Sequence, residues 1–286
     1  MENRTFIPGS EWVYFKIYTG TKTADAILKN ELYGYVKALI NNSIIDKWFF
    51  IRYNDPDFHI RLRLQLKDTR DFSSVFKRFY ETFLPLVDAD LVWKIQCDTY
   101  QREMERYGAN TITTVEKFFF IDSELIIELL NHLNEENPDQ QRWELALALI
   151  DSFLTAFSFD LTQRKEMLQT MAENYKKEFG YTHHDAKKQL DNKYRASRKE
   201  IETAMLCENT IETIKIRKQA ILPIADHLLA MEKSGKLQVP LKSLLTSMIH
   251  MTLNRWFRTK NRLYELVIYD FMSRFYTSEI AKSHKS

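Results

Sequence analysis

The run Phe58-His59-Ile60-Arg61-Leu62-Arg63-Leu64 alternates strictly between cationic or imidazole side chains and apolar ones. On a strand, with a side-chain period of two, His59, Arg61 and Arg63 share one face, and Ile60, Leu62 and Leu64 share the other. Two guanidiniums fixed in this way form a cradle for a carboxylate or phosphate, because arginine offers planar donors and keeps its charge. The competing reading is a solvent-facing strand whose arginines pair with acidic neighbours. A second group, Tyr100-Gln101-Arg102-Glu103-Met104-Glu105-Arg106-Tyr107-Gly108, follows a strand and ends in glycine, a suitable place for a loop to present side chains. Here Glu103 and Glu105 can equally pair with Arg102 and Arg106. A third signal lies in a late helix, where His250 and Asn254 are four apart and Ser247 and Ser243 extend their stripe backwards. That polar stripe runs among Leu244, Leu245, Met248, Met251, Leu253 and Phe257, so it must find partners or face a cavity. A partly desolvated histidine is the usual general acid or base near neutral pH. The alternative is a core histidine bonded to a backbone carbonyl.

Other chemistries are excluded or weak. There is no GxGxxG, Walker loop, GxSxG or HExxH, so the common nucleotide and hydrolase signatures are missing. Cys97 and Cys207 stand alone, without the spacing of a zinc ribbon or a disulfide framework. His183-His184 followed by Asp185 could bind a metal, but adjacent side chains point in different directions, and Tyr181 to Asp185 is read as a helix start. No metal and no organic cofactor is expected. The 41 basic and 39 acidic side chains leave a formal net charge of +2, which gives no footprint for direct nucleic-acid binding. No apolar signal core and no membrane-length apolar run is present, so the expected location is the cytoplasm, without a membrane partner.

The elements that must position these residues follow from periodicity and breakers. Trp12 to Tyr18, Lys47 to Tyr53, Phe58 to Leu66 and Leu91 to Tyr100 have the aromatic and β-branched content of strands. Asn54-Asp55-Pro56-Asp57 is a turn that makes the middle two an antiparallel hairpin. Thr21 to Asn41 and Asp71 to Leu86 read as helices. From Thr113 onward helices dominate, near 113–134, 139–158, 161–178, 184–206, 208–232 and 240–277, the last dividing near Thr259-Lys260. With 286 residues but only 6 Gly and 6 Pro, the expectation is a single domain over residues 1–286. Its fold class is α+β: an N-terminal sheet with antiparallel strands in a mixed part, residues 1–110, covered by a predominantly helical part, residues 111–286. Aromatics at 13% suggest a thick core or a groove that grips an extended ligand.

The order WVYFKIYTG, DKWFFIRYNDPDFHIRLRL, ERYG and a late HMTLNR resembles the C-terminal elimination domain of lantibiotic dehydratases and the related thiopeptide-type bacteriocin biosynthesis proteins. The resemblance runs from about Trp12 to about Tyr276. In that family a partner transfers glutamate from glutamyl-tRNA to Ser or Thr hydroxyls of a precursor peptide. The elimination domain then expels the glutamate to leave dehydroalanine or dehydrobutyrine. The resemblance implies catalytic roles for Arg61, Arg63, Arg106 and His250, with Asn254 and His59 in support. It also implies a glutamylated precursor peptide as substrate and a separate tRNA-dependent glutamylation protein as partner, and it is compatible with a homodimer. Under this reading Arg61 and Arg63 hold the glutamyl group and Arg106 meets developing negative charge. His250 is either the base at the α-carbon or the acid on the departing carboxylate. The usual RYGG loop here reads Arg106-Tyr107-Gly108-Ala109, and Asp122-Ser123 resembles a further family element of unassigned role. Two competing functions share the fold or its surfaces: a pyridine-forming cycloaddition of two dehydroalanines, and a non-catalytic precursor-peptide-binding module.

Overall fold

A computed structural model describes residues 2–134, 136–181, 184–206 and 211–284. The chain is α+β and divides into two compact units. The first holds Met1–His132 with Lys236–Pro240, and the second holds Leu133–Gly235 with Leu241–Ser286.

In the first unit, β2 (Trp12–Thr19), β3 (Ile45–Asn54), β4 (Phe58–Leu66) and β5 (Val92–Cys97) form an antiparallel sheet in the order β3-β4-β2-β5. A two-residue pair, β1 (Thr5–Phe6) with β6 (Tyr100–Gln101), lies apart from it. The expected hairpin is β3–β4, closed between Asn54 and Phe58. One face carries Phe15, Ile60, Leu62 and Leu64, all buried. It is covered by α2 (Tyr33–Asn41) and α3 (Phe72–Asp88), with Phe79 stacked on Phe15 at 3.9 Å and Tyr35 set edge-on to Phe79. The chain enters α2 through α1 (Thr23–Ile27) and a π-helical turn, Leu28–Leu32. Strand β3 is a sheet edge, and α5 (Ile112–Asn131) closes it: Phe50 N donates to Ser123 Oγ and Trp48 Nε1 donates to Glu124. Asp122-Ser123 is therefore wholly buried against the sheet edge, a structural placement for that element.

The second unit is helical: α6 (Pro138–Ala156), α7 (Leu161–Glu178), α8 (His184–Ala196), α9 (Arg198–Leu206), α10 (Glu212–Lys233), α11 (Leu241–Trp256) and α12 (Asn261–Ser283). Residues 145–154 of α6 are buried on every side, as a central helix must be. The division expected near Thr259-Lys260 is present, with Lys260 at φ +54° and the Phe257 and Tyr264 rings stacked at 4.3 Å across the break. The single helix expected over 184–206 is instead two, α8 and α9, separated at Ser197. His183 and Cys207, and the side chains of His184 and Asp185, lie outside the described residues.

Candidate active site

The opposite face of the sheet carries the strand cations. Cross-strand register sets Arg63 between Phe49 and Tyr14, Arg61 between Ile51 and Lys16, and His59 between Tyr53 and Tyr18. The Arg63 guanidinium carbon lies 4.6 Å from the Tyr14 ring centre, 4.8 Å from that of Tyr100 and 5.4 Å from that of Phe49. Arg61 stacks on Tyr53 at 3.4 Å. These are cation–π contacts, which hold a guanidinium without neutralising it. Among the described residues no carboxylate lies within ion-pair distance of Arg61 or Arg63, whereas Lys16, on the next strand, pairs with Asp98. The surface-pairing alternative for this strand thus fails. Arg63 Nε and Tyr14 Oη are both buried and without a hydrogen-bond partner among the described residues. Burial raises the Tyr14 pKa against the opposing pull of Arg63, Arg61 and Lys16, so its phenol keeps its proton.

His59 is buried, and its ring is hydrogen-bonded at both nitrogens. Nδ1 lies 2.8 Å from the Asp57 carbonyl oxygen, and Nε2 accepts from Arg61 Nε at 3.1 Å. That arrangement requires the proton on Nδ1, and burial first and Arg61 also lower the imidazole pKa. A neutral His59 orients Arg61, so it supports the cradle without adding to its charge.

The loop cluster separates into an anchor and an exposed cation. Arg102 is buried and bidentate to Glu116, through Nε and Nη2 at 2.7 Å each, and Tyr100 Oη donates to the same carboxylate. Glu105 pairs with Arg4. Arg106 sits on the one-turn helix α4 (Met104–Tyr107) with its side chain 35% exposed and Glu103 at 3.4 Å. Gly108 ends that turn at φ +75°, and a Cβ there would lie 2.8 Å from Thr111 Oγ1, so glycine is required. Ala109 has no positive φ, and its N–H donates to Gln238 Oε1 at 2.7 Å. The departure from RYGG therefore places no strain on the turn.

In the second unit, His250 lies on α11 with its side chain 21% exposed, and Asn254 follows one turn on. Its Nδ1 is 3.0 Å from each carboxylate oxygen of Glu265, which is wholly buried on α12. Tyr175 of α7 and Tyr269 of α12 donate their hydroxyls to Glu265 Oε2. Burial first, then Glu265, pushes both phenols far above the usual range, so both remain donors. With Nδ1–H directed at Glu265, the Nε2 lone pair is the basic position of the ring. The partner of His250 is thus a carboxylate, not a backbone carbonyl. Tyr14, Tyr175, Glu265 and Tyr269 are additions that the sequence did not reveal. Glu265 lies one turn before Tyr269, a spacing that puts the two on one helix face but does not by itself mark the acid as buried. No group of three or more metal-ligating side chains occurs among the described residues.

Comparison with known proteins gives this arrangement a lineage. The subtilin biosynthesis protein SpaB of Bacillus subtilis is 24% identical over 274 residues, covering 91% of this chain and 25% of that protein. The nisin biosynthesis protein NisB of Lactococcus lactis subsp. lactis is 27% identical over 158 residues, covering 55% of this chain and 15% of that protein. The chain thus spans a quarter or less of the relatives it matches. The fold matches the tRNA-dependent lantibiotic dehydratase MibB from Microbispora sp. 107891, with TM-score 0.69 and 18% identity, over 97% of this chain and 29% of that one. It also matches the pyridine synthase TbtD from thiomuracin biosynthesis, with TM-score 0.68 and 13% identity, over 94% of this chain and 100% of that one. The family described as lantibiotic biosynthesis dehydratase, C-terminal, matches residues 12–276, and with nearly its whole length inside that match the chain belongs to this family.

Proposed function

We propose that the chain is a lyase that eliminates glutamate from glutamylated Ser or Thr residues of a ribosomal precursor peptide, leaving dehydroalanine or dehydrobutyrine. The observation that carries this reading is the pair Arg61 and Arg63. They are fixed on one strand face, caged by aromatic rings, and have no carboxylate in ion-pair reach among the described residues. Half-buried cations without a counter-ion favour an anionic ligand, and a glutamyl ester carries a free carboxylate and releases a second.

In the reaction a base removes the α-proton of the esterified residue, the electron pair forms the Cα–Cβ double bond, and the Cβ–O bond breaks to release glutamate. His250 Nε2 is the proposed base, with Glu265 balancing the imidazolium that forms. Arg61 and Arg63 hold the glutamyl group, Tyr14 is a further donor beside Arg63, and Arg106 meets negative charge as it develops. His59 and Asn254 support these groups without acting themselves. The reading treats residues 1–286 as one functional module, with catalytic residues in both units. Glutamylation itself is left to a tRNA-dependent activity outside the residues named here, in the cytoplasm where charged tRNA is available. No described helix is long and apolar enough to cross a membrane.

The test is a synthetic peptide with one glutamylated Ser, followed by mass. Release of glutamate with formation of dehydroalanine is expected. Arg63→Ala should slow it by about 10²-fold or more, the size of effect seen when one preorganised donor is lost. Arg63→Lys should fail to rescue, since an ammonium cannot reproduce the planar fork. A stable glutamyl ester with the wild-type protein would remove this reading. The runner-up, ring formation from dehydroalanines, has the TbtD fold in its favour and would then be tested on a dehydroalanine-containing peptide.

A further inference from the structure

A cavity of about 820 Å³ in the second unit is a groove between α7 and α11, and neither the strand arginines nor His250 line it. Its walls offer Gln169, Thr170 and Asn174 from α7, and Ser243, Thr246 and Ser247 from α11. All six are neutral: the Thr170 and Thr246 hydroxyls donate to the Glu166 and Lys242 carbonyls of their own helices and offer acceptors to the groove, while the Gln169 and Asn174 amides offer both donors and acceptors. Met167 and Met171, themselves buried, supply an apolar floor. Charges of both signs occur at the rim, Glu166 and Glu173 against Lys177 and Lys242, so the groove has no preference for a polyanion. No aromatic ring lines it, and its grip is therefore hydrogen bonding in place of stacking.

Two of its walls continue into the proposed catalytic group. Ser243, Ser247 and His250 follow one another along a face of α11. On α7, Met171 of the groove floor lies one turn before Tyr175, whose hydroxyl donates to the carboxylate that holds His250. The α7 wall from Glu166 to Lys177 is about 16 Å long at ~1.5 Å per residue, a length that matches about five residues of extended peptide. An extended chain has an unpaired N–H and C=O at every residue, and a wall of amides and hydroxyls can satisfy them whatever the side chains are.

We propose that this groove holds about five residues of the precursor peptide next to the residue undergoing elimination, bound through main-chain groups. This rests on the lyase reading for the identity of the peptide. Recognition of this kind tolerates sequence variation but not loss of the peptide N–H.

Four probes are needed: a ten-residue Gly/Ala/Ser peptide with one glutamylated Ser, a three-residue version, the fluorescein-labelled ten-residue peptide without glutamate, and that labelled peptide N-methylated along its backbone. Thr170→Arg and Ser243→Arg fill opposite walls from exposed positions, and Glu232→Arg on α10 is the control. Wild type is expected to prefer the long substrate over the short in kcat/KM by about tenfold, with both groove variants losing that preference. Fluorescence anisotropy should show the labelled probe binding about tenfold more weakly to both variants while the control retains wild-type binding, and wild type should bind the N-methylated probe about tenfold more weakly than the unmethylated one. Circular dichroism confirms that each variant is folded. Unchanged probe binding in both groove variants would overturn the proposal. If wild type leaves the glutamyl ester intact yet the variants still lose the probe, the lyase reading fails and the groove stands.

Discussion

At the scale of single residues, the histidine and its carboxylate make the sharpest demand. Glu265 is wholly buried, yet it accepts from His250 Nδ1 and from two tyrosine hydroxyls, so its oxygens are fully engaged. A purely structural carboxylate would hold the helices together and leave kcat alone. As a positioning residue for a base, it must also favour the imidazolium formed in the reaction. Glu265→Gln keeps the shape and one acceptor but removes the charge. We expect kcat to fall by about 10²-fold or more, within the range that general-base catalysis contributes. KM should stay unchanged, so that kcat and kcat/KM fall together, the pattern of an interaction made only in the transition state. A fall in thermal stability with kcat unchanged would leave Glu265 a structural residue. His250 was legible in the sequence because a polar stripe on an apolar helix needs an explanation. Glu265 was not, because fifteen residues and a helix break separate the two, and no spacing rule links side chains across such a break.

At the scale of elements, the strand alternation of Phe58 to Leu66 was read with both ends correct, since one aliphatic face alternating with one cationic face admits little else. The turn between α11 and α12 was also legible. The two-residue pair β1–β6 and the one-turn α4 were not, because periodicity needs more residues than either contains. The loop that presents Arg106 depends on one such short element. Gly108 has a backbone conformation open essentially to glycine alone, and an added Cβ would collide with the Thr111 hydroxyl. Gly108→Ala should cost about 1–3 kcal/mol of stability, a fall in Tm of about 3–10 °C. Because α4 must shift to relieve the strain, kcat/KM for the glutamylated peptide should fall about tenfold or more. Ala109→Gly, next door, should change stability by about 1 kcal/mol or less, since Ala109 has an ordinary backbone conformation. Equal effects at the two positions would mean that the positive φ of Gly108 is not what shapes the loop.

At the scale of the whole molecule, the chain alternates between its two units. After the second unit is largely complete, Lys236–Pro240 returns to the first, where Gln238 accepts from the Ala109 N–H and the Lys236 carbonyl accepts from Asn110 Nδ2. The proposed reaction draws Arg61, Arg63 and Arg106 from one unit and His250 from the other. A shared role can be measured without any assumption about how the units meet. If Arg63 holds the ester while His250 removes its α-proton, either loss already disables the same step. Arg63→Ala combined with His250→Ala should then cost little more than the worse single variant, as groups acting as a unit are strongly non-additive. Independent roles would multiply: two losses of about 10²-fold each would give about 10⁴-fold together. The cycle should be measured in single turnover with the glutamylated Ser peptide, where release of glutamate reports the chemical step alone. Multiplicative losses would separate the strand cradle from the histidine and overturn the shared step, leaving the arginines and His250 to contribute independently.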